Sequence, residues 1–419
     1  MCLSPRLRVD SISNDLLGKS WVLSMNRISQ SFSYRIGLLV CVLSLALQSC
    51  AAAQAVLTPP VETRPTGSPS APAVPTLLPP GSQISLPMKT GYGMRGSFYE
   101  LYFTDPFNPA SANEEGGPDA PLAAAINAAR VSVDVAAYSL SLYSVEQALI
   151  GANKRGVRVR MVMESDNMSD PVPQELKNAG IPIVGDNRPG LMHNKFMVID
   201  HFEVWTGSMN FTTSGTYQDN NNLIRIRSSK VAVDYTTEFE EMFVDNFFGP
   251  DAIANTPYPQ VTVDQVPMEV YFSPDDHVAR RIAALLRAAN SSIYFLAYSF
   301  TANDFGDIIR QKAQDGLKVA GVMDESQIRL DTGTEYDAFA KDALPVYPDG
   351  NAGLMHHKVI IIDNEIVITG SYNFTASAER TNDENVVIFF DKQLAADYMA
   401  EFQRVFDEAP KIKGGTSMR

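Results

Sequence analysis

Two histidines in this chain stand in nearly the same company. His193 lies in "LMHNKFMVID", 191–200, and His356 in "LMHHKVIIID", 354–363. Each is followed by a lysine two positions on, Lys195 and Lys358, and then by Asp200 and Asp363. Gly207-Ser208 and Asn210 come after the first stretch, and Gly370-Ser371 and Asn373 after the second. An imidazole can attack an electrophile or carry a proton near neutral pH. An ammonium, a hydroxyl and an amide can hold the oxygens of an anion. Together these groups suit chemistry at phosphorus.

The spacing says how they are held. Residues two apart on a β-strand share a face. His193 and Lys195 are therefore neighbours, as are His356 and Lys358, while Phe196 and Val198 turn to the core. The turns "DHFE" (200–203) and "DNEI" (363–366) lead into partner strands that bring Ser208 and Asn210, or Ser371 and Asn373, alongside. Asp200 and Asp363 fall at strand ends, off the His/Lys face, and read as structural.

The echo extends well beyond these stretches. "ELYFTDPF" (100–107) matches "EVYFSPDD" (269–276), and "LAAAINAARVSVDVAAYSLS" (122–141) matches "IAALLRAANSSIYFLAYSFT" (282–301). "ANKRGVRVRMVME" (152–164) matches "KAQDGLKVAGVMD" (312–324), and "TGSMNFTTS" (206–214) matches "TGSYNFTAS" (369–377). The order is kept, so the chain carries a duplicated domain. The expected halves are 91–252 and 253–419. In each, helices such as "VEQALIGANKRG" and "FGDIIRQKAQDG" stop at Gly156 and Gly316 and alternate with β-rich runs. That alternation predicts an α/β fold with mostly parallel sheets flanked by helices.

Composition narrows the partners. The 419 residues are 45% hydrophobic and 20% charged, enough for two packed domains, and the formal net charge is −14. An acidic surface repels polyanions on average, which weighs against a protein that coats nucleic acid. The three cysteines, Cys2, Cys41 and Cys50, all precede the repeat, so no disulfide is expected within it.

Residues 1–50 read as an export signal. Arg27 and Arg35 precede the apolar run "IGLLVCVLSLAL" (36–47), and small residues follow it. The "LQSC" at 47–50 resembles a bacterial lipoprotein processing site with Cys50 as the lipidated residue. Met25 is an alternative start. Residues 51–90, rich in Pro, Ser, Thr and Ala, read as a tether. The expected location is the bacterial cell envelope, anchored on the outward side of the membrane, or secreted.

The full pattern HxKxxxxDxxxxxxGSxN runs from His193 to Asn210 and again from His356 to Asn373. It resembles the phospholipase D superfamily, and the likeness covers residues 90–410. The resemblance implies two tandem domains around a pseudo-twofold axis, with one site where they meet in a monomer. It implies that one histidine attacks phosphorus to form a phosphohistidine and the other protonates the leaving alcohol and then activates water. Lys195, Lys358, Asn210 and Asn373 would hold the phosphoryl oxygens, with Ser208 and Ser371 in support. No metal and no cofactor is expected. Twenty-eight residues past each motif histidine the family carries a carboxylate that orients an imidazole. Here that position is Glu384 in one half and Asn221 in the other. Reaching crosswise, Glu384 would support His193, making His193 the nucleophile.

Other residues have plainer readings. His356-His357 hints at a metal site, but no ligand set repeats in the other half. Asn210 and Asn373 fit glycosylation sequons, which the motif explains more simply. His201 and His277 are given no role. The Tyr138-Ser139 and Tyr298-Ser299 pairs line the site entrance or pack the core. Asp219 and Asp383 read as solvated faces. The function these features predict is hydrolysis of the distal phosphodiester of a phospholipid, giving phosphatidate and a free head group. The rivals are a metal-independent endonuclease and a non-catalytic lipoprotein that binds phosphorylated ligands.

Overall fold

The computed structural model describes residues 78–79 and 81–410. The expected export signal, its Cys50 and most of the expected tether lie outside them. The described residues belong to one compact unit.

Strands are numbered in chain order. The first half contributes β1 (Ile84–Leu86), β2 (Tyr92–Arg95), β3 (Tyr99–Phe103), β4 (Ser132–Ala137), β5 (Arg158–Met163), β6 (Ile183–Gly185), β7 (Lys195–Ile199), β8 (Glu203–Gly207) and β9 (Asn222–Arg227), in the order β1-β2-β3-β9-β8-β7-β4-β5-β6. The second contributes β10 (Gln260–Val263), β11 (Val266–Ser273), β12 (Ser292–Ala297), β13 (Lys318–Met323), β14 (Val346–Pro348), β15 (Lys358–Ile362), β16 (Ile366–Gly370) and β17 (Glu384–Phe390), in the order β10-β11-β17-β16-β15-β12-β13-β14.

The α/β class holds, but the sheets are mixed rather than mostly parallel. Only β4-β5-β6 and β12-β13-β14 pair in parallel. Helices Tyr143–Lys154 and Asn303–Gln314 supply crossovers there, whereas turns as tight as 200–202 join β7 to β8 and leave no room for one. The duplicated motif strands are therefore antiparallel to their neighbours. The sheet also starts earlier than expected: β1, inside the stretch read as tether, pairs with β2 of the first half.

Gly156 and Gly316 end their helices at φ +88° and +94°, as their positions suggested. Asp200 and Asp363 cap the opposite ends of the motif strands. Asp200 accepts hydrogen bonds from the backbone N–H groups of Arg130, Val131 and Ser132, and Asp363 from those of Asn290, Ser291 and Ser292.

One apolar core spans both halves. Phe196, Val198 and Ile224 of the first sheet share it with Val359, Ile361 and Val387 of the second. Helices Ser229–Glu240 and Lys392–Glu408 feed Tyr235, Phe239, Tyr398 and Phe402 into the same core, so they lie between the sheets. The outer faces pack under separate helices, with Leu122 and Leu149 on one side and Ile282 and Ile309 on the other. Each buried large apolar side chain is worth roughly 1.5–3 kcal/mol, so the shared layer ties the halves together. Among the described residues no helix is long and apolar enough to cross a membrane.

Candidate active site

The motif strands end at the junction of the halves, and each junction is built the same way. Met192 bridges Asp383, and Met355 bridges Asn220. The His193 N–H donates to Asp383 O at 3.0 Å, and the His356 N–H to Asn220 O at 3.0 Å. The return bonds run from Asp383 N–H to Leu191 O and from Asn220 N–H to Leu354 O. Exchanging the halves exchanges these contacts, as a pseudo-twofold relation requires.

The crossing places Glu384 behind His193. His193 Nδ1 is 2.7 Å from Glu384 Oε2, and His356 Nδ1 is 3.0 Å from Asn221 Oδ1. Asn221 also accepts from Ser208 Oγ at 2.8 Å, and its Nδ2 donates to Gly215 O, which fixes the amide. Glu384 is further held by Asn382 Nδ2. The lysines point inward too. Lys195 Nζ donates to His193 O, and Lys358 Nζ to His356 O, both at 2.7 Å.

The motif glycines are there for a close approach. At Gly207 (φ +146°) an added Cβ would lie 2.4 Å from Asn222 O, and at Gly370 (φ +147°) 2.1 Å from Asn385 O. That contact carries the bonds from Ser208 N–H to Asn222 O and from Ser371 N–H to Asn385 O. Asn210 and Asn373 are half-buried, and each leaves a buried Oδ1 without a partner in the same place.

Burial and like charge set the electrostatics. Burial lowers the His193 pKa to about 4 although Glu384 pulls it up; Lys195 and Lys358 push it down. Burial lowers Lys195 to about 7, again against Glu384. His356 is driven well below the usual histidine range by burial, by both lysines and by His193. Lys358 is likewise driven well below the usual lysine range by burial and by Lys195. Both histidines and both lysines thus feel one another across the junction.

Tyr138 and Tyr298 line this site. Their rings meet His193 and His356 edge-on at centroid distances of 5.0 and 4.7 Å, and each lies under the lysine of its own half. Asp219 and Asp383 are not solvated faces. The bridges that close the junction bury them. Asp219 accepts from the Leu354 N–H, and burial raises its pKa to about 6. Asp383 pairs with Arg188 and accepts from the Gly249 N–H; burial raises it to about 7 against the pull of Arg188. Sequence reasoning missed Glu164 and Asp324, buried carboxylates that accept from the Met192 and Met355 N–H groups at 2.9 Å. They end the matched stretches "VME" and "VMD", a repeat signal that could have found them. His201 and His277 are exposed. Among the described residues no group of three or more His, Cys, Asp or Glu is placed to hold a metal ion.

The family model described as "Cardiolipin synthase, PLD-like domain" matches this chain twice, over residues 122–243 and 282–406. The chain belongs to the phospholipase D superfamily. A phospholipase D from Rickettsia typhi is 34% identical over 128 residues, covering 30% of this chain and 62% of that protein. A mitochondrial cardiolipin hydrolase from Canis lupus familiaris is 31% identical over 152 residues, covering 34% of this chain and 59% of that protein. The chain thus spans about three fifths of the length of these curated relatives. A phosphatidylserine synthase from Haemophilus influenzae Rd KW20 has the same fold at 12% identity, with a TM-score of 0.57 over 70% of this chain and 84% of that one. Each family span contains one copy of the motif of this phospholipase D superfamily chain, His193 to Asn210 in the first and His356 to Asn373 in the second.

Proposed function

We propose that the protein is a phospholipase D-type phosphodiesterase that cleaves the distal phosphodiester of a phospholipid, giving phosphatidate and a free head group. One observation carries this reading: two buried imidazoles and two buried lysines converge at the junction, and only one imidazole has a carboxylate behind it. With its Nδ1–H donated to Glu384, His193 presents a bare Nε2 lone pair. That pair attacks phosphorus, the P–O bond to the head group breaks, and a phosphohistidine forms. The bound anion raises the pKa of His356, which gives its Nε2 proton to the departing oxygen. His356 then takes a proton from water as the water oxygen bonds phosphorus and the P–N bond breaks. Lys195, Lys358 and the amides of Asn210 and Asn373 hold the oxygens, with Ser208 and Ser371 fixing the strands beneath. The names of the relatives, cardiolipin hydrolase and phospholipase D, support a lipid substrate, and the net charge of −14 weighs against nucleic acid.

The test incubates purified protein in EDTA with vesicles of labelled cardiolipin or phosphatidylcholine, and separately with single-stranded DNA. Release of head group is expected. Cleavage of DNA without lipid turnover would make it an endonuclease. Binding of vesicles without turnover of either would leave a phosphoryl-binding lipoprotein. The same reading anchors the chain at the cell envelope through Cys50, so Cys50→Ser is expected to release it from the membrane fraction.

A further inference from the structure

Beside each residue that supports a histidine stands a second one that the proposed chemistry does not use. Asn385 follows Glu384, and Asn222 follows Asn221. Both side chains are fully buried and cross into the opposite half. Asn385 Nδ2 donates to Asn194 Oδ1 at 2.8 Å, and its Oδ1 accepts from Thr206 Oγ1 at 2.6 Å and Tyr235 OH at 3.1 Å. Asn222 Nδ2 meets His357 Nδ1 at 3.1 Å, and its Oδ1 accepts from Thr369 Oγ1 at 3.0 Å and Tyr398 OH at 3.3 Å.

Their targets are Asn194 and His357, the residues between the histidine and the lysine of each motif. These differ in type yet do the same job. Two hydroxyl donors on Asn222 Oδ1 turn its amide N–H toward His357, so His357 Nδ1 must accept. Its Nε2–H then donates to Glu401 Oε1 at 2.8 Å. Asn194 does likewise, accepting through Oδ1 and donating through Nδ2 to Glu238 Oε1 at 3.4 Å. A neutral imidazole of this tautomer and a primary amide offer the same acceptor and donor in the same order.

We propose that Asn222 and Asn385 are positioning residues, and that each pair Asn221-Asn222 and Glu384-Asn385 forms a two-residue clamp on the opposite half. The first member touches the histidine and the second locks the residue after it. The lock holds the strand so that His193 Nδ1 stays on Glu384. This inference rests on His193 and His356 being the reacting groups.

The experiment uses the full chain and a chromogenic aryl phosphodiester. Asn385→Ala is expected to lower kcat about tenfold or more with KM little changed, because a small displacement of a reacting group is costly. It should also shift or abolish the downfield proton resonance of the His193–Glu384 hydrogen bond, which is read by NMR without turnover. That second readout separates the clamp from the assigned chemistry, since it stands even if the intact chain leaves the phosphodiester uncut. Asn385→Ser replaces Asn385→Ala if the latter does not fold. His357→Asn copies the first half and should keep kcat within about threefold, whereas His357→Leu should fall with Asn222→Ala. An unchanged His193 resonance in Asn385→Ala or Asn385→Ser would overturn the proposal. So would a His357→Asn protein as impaired as His357→Leu with both folded.

Discussion

Glu384 Oε2 reaches His193 Nδ1 from the opposite half at 2.7 Å, while the matching place behind His356 is taken by the neutral amide of Asn221. A carboxylate in that position fixes the ring tautomer and stabilises the positive charge that attack develops on it. Glu384→Gln keeps the shape and loses the charge. It is expected to lower kcat about a hundredfold or more, as loss of a histidine's orienting carboxylate commonly does. Steady-state kinetics on a phosphodiester would check this, with the circular dichroism spectrum as the control for folding.

The same inequality predicts which ring is phosphorylated. With a substrate bearing a good leaving group, His356→Ala should still trap a phosphoryl group on His193. His193→Ala should trap none. Mass spectrometry of the acid-labile adduct decides the matter, and an adduct on His356 in the His193→Ala protein would reverse the two roles.

The pH profile should carry the lysine. Burial lowers Lys195 to about 7, so the free protein loses this positive charge as pH rises through that value. A bound phosphodiester anion favours the charged form and raises the pKa again. The general acid His356 is also held well below its usual range in the free protein, so the alkaline limb should fall below about pH 7 in kcat/KM and lie higher in kcat. On the acid side His193 must be neutral to attack, which its pKa of about 4 permits down to that pH. Profiles of both parameters from pH 3.5 to 10 would test the pair of limbs.

Stability offers an independent check at Asp234. This carboxyl is fully buried, accepts one hydrogen bond from the Tyr258 N–H and leaves Oδ2 without a partner. Burial raises its pKa from 3.8 to about 7, with Asp276 adding to the rise. A raised carboxyl pKa stabilises the fold at low pH, and the contribution is lost as pH rises through the folded value. Asp234→Asn keeps the acceptor and removes the titration. The parent loses this contribution from the unfolded value near 4 up to about 7, so the stability of Asp234→Asn relative to the parent should rise by about 2 kcal/mol between pH 5.5 and pH 8.5. Urea unfolding at the two pH values measures the difference.

Much of this was readable in the sequence because the chain states it twice. The six-position motif and its repeat located His193, Lys195, His356 and Lys358, and the strand period placed each pair on one face. The sheet direction was misread because helix–strand alternation describes only β4 to β6 and β12 to β14. The short motif turns, which force antiparallel pairing, carried more of the sheet. Asp219 and Asp383 were misread because an acidic loop residue is usually solvated. What buries them is a bridge between halves, a contact of nearly two hundred residues' separation for Met192 and Asp383 that no local pattern encodes. Asn222 and Asn385 repeat as faithfully as the motif does, but their partners sit in the other half, so their spacing alone gave them no role.

The crossed reach of Glu384 also bears on why the two halves are one polypeptide. A homodimer of the first half would place an asparagine behind both histidines, and a homodimer of the second would place a glutamate behind both. Symmetry forbids either from having one of each. Covalent fusion is what lets the halves differ at this position. It turns a reversible junction into one with a direction, so a phosphodiester with two different ester arms meets a site whose two ends also differ. In the proposed reaction, the bond cut is the one whose leaving arm faces His356.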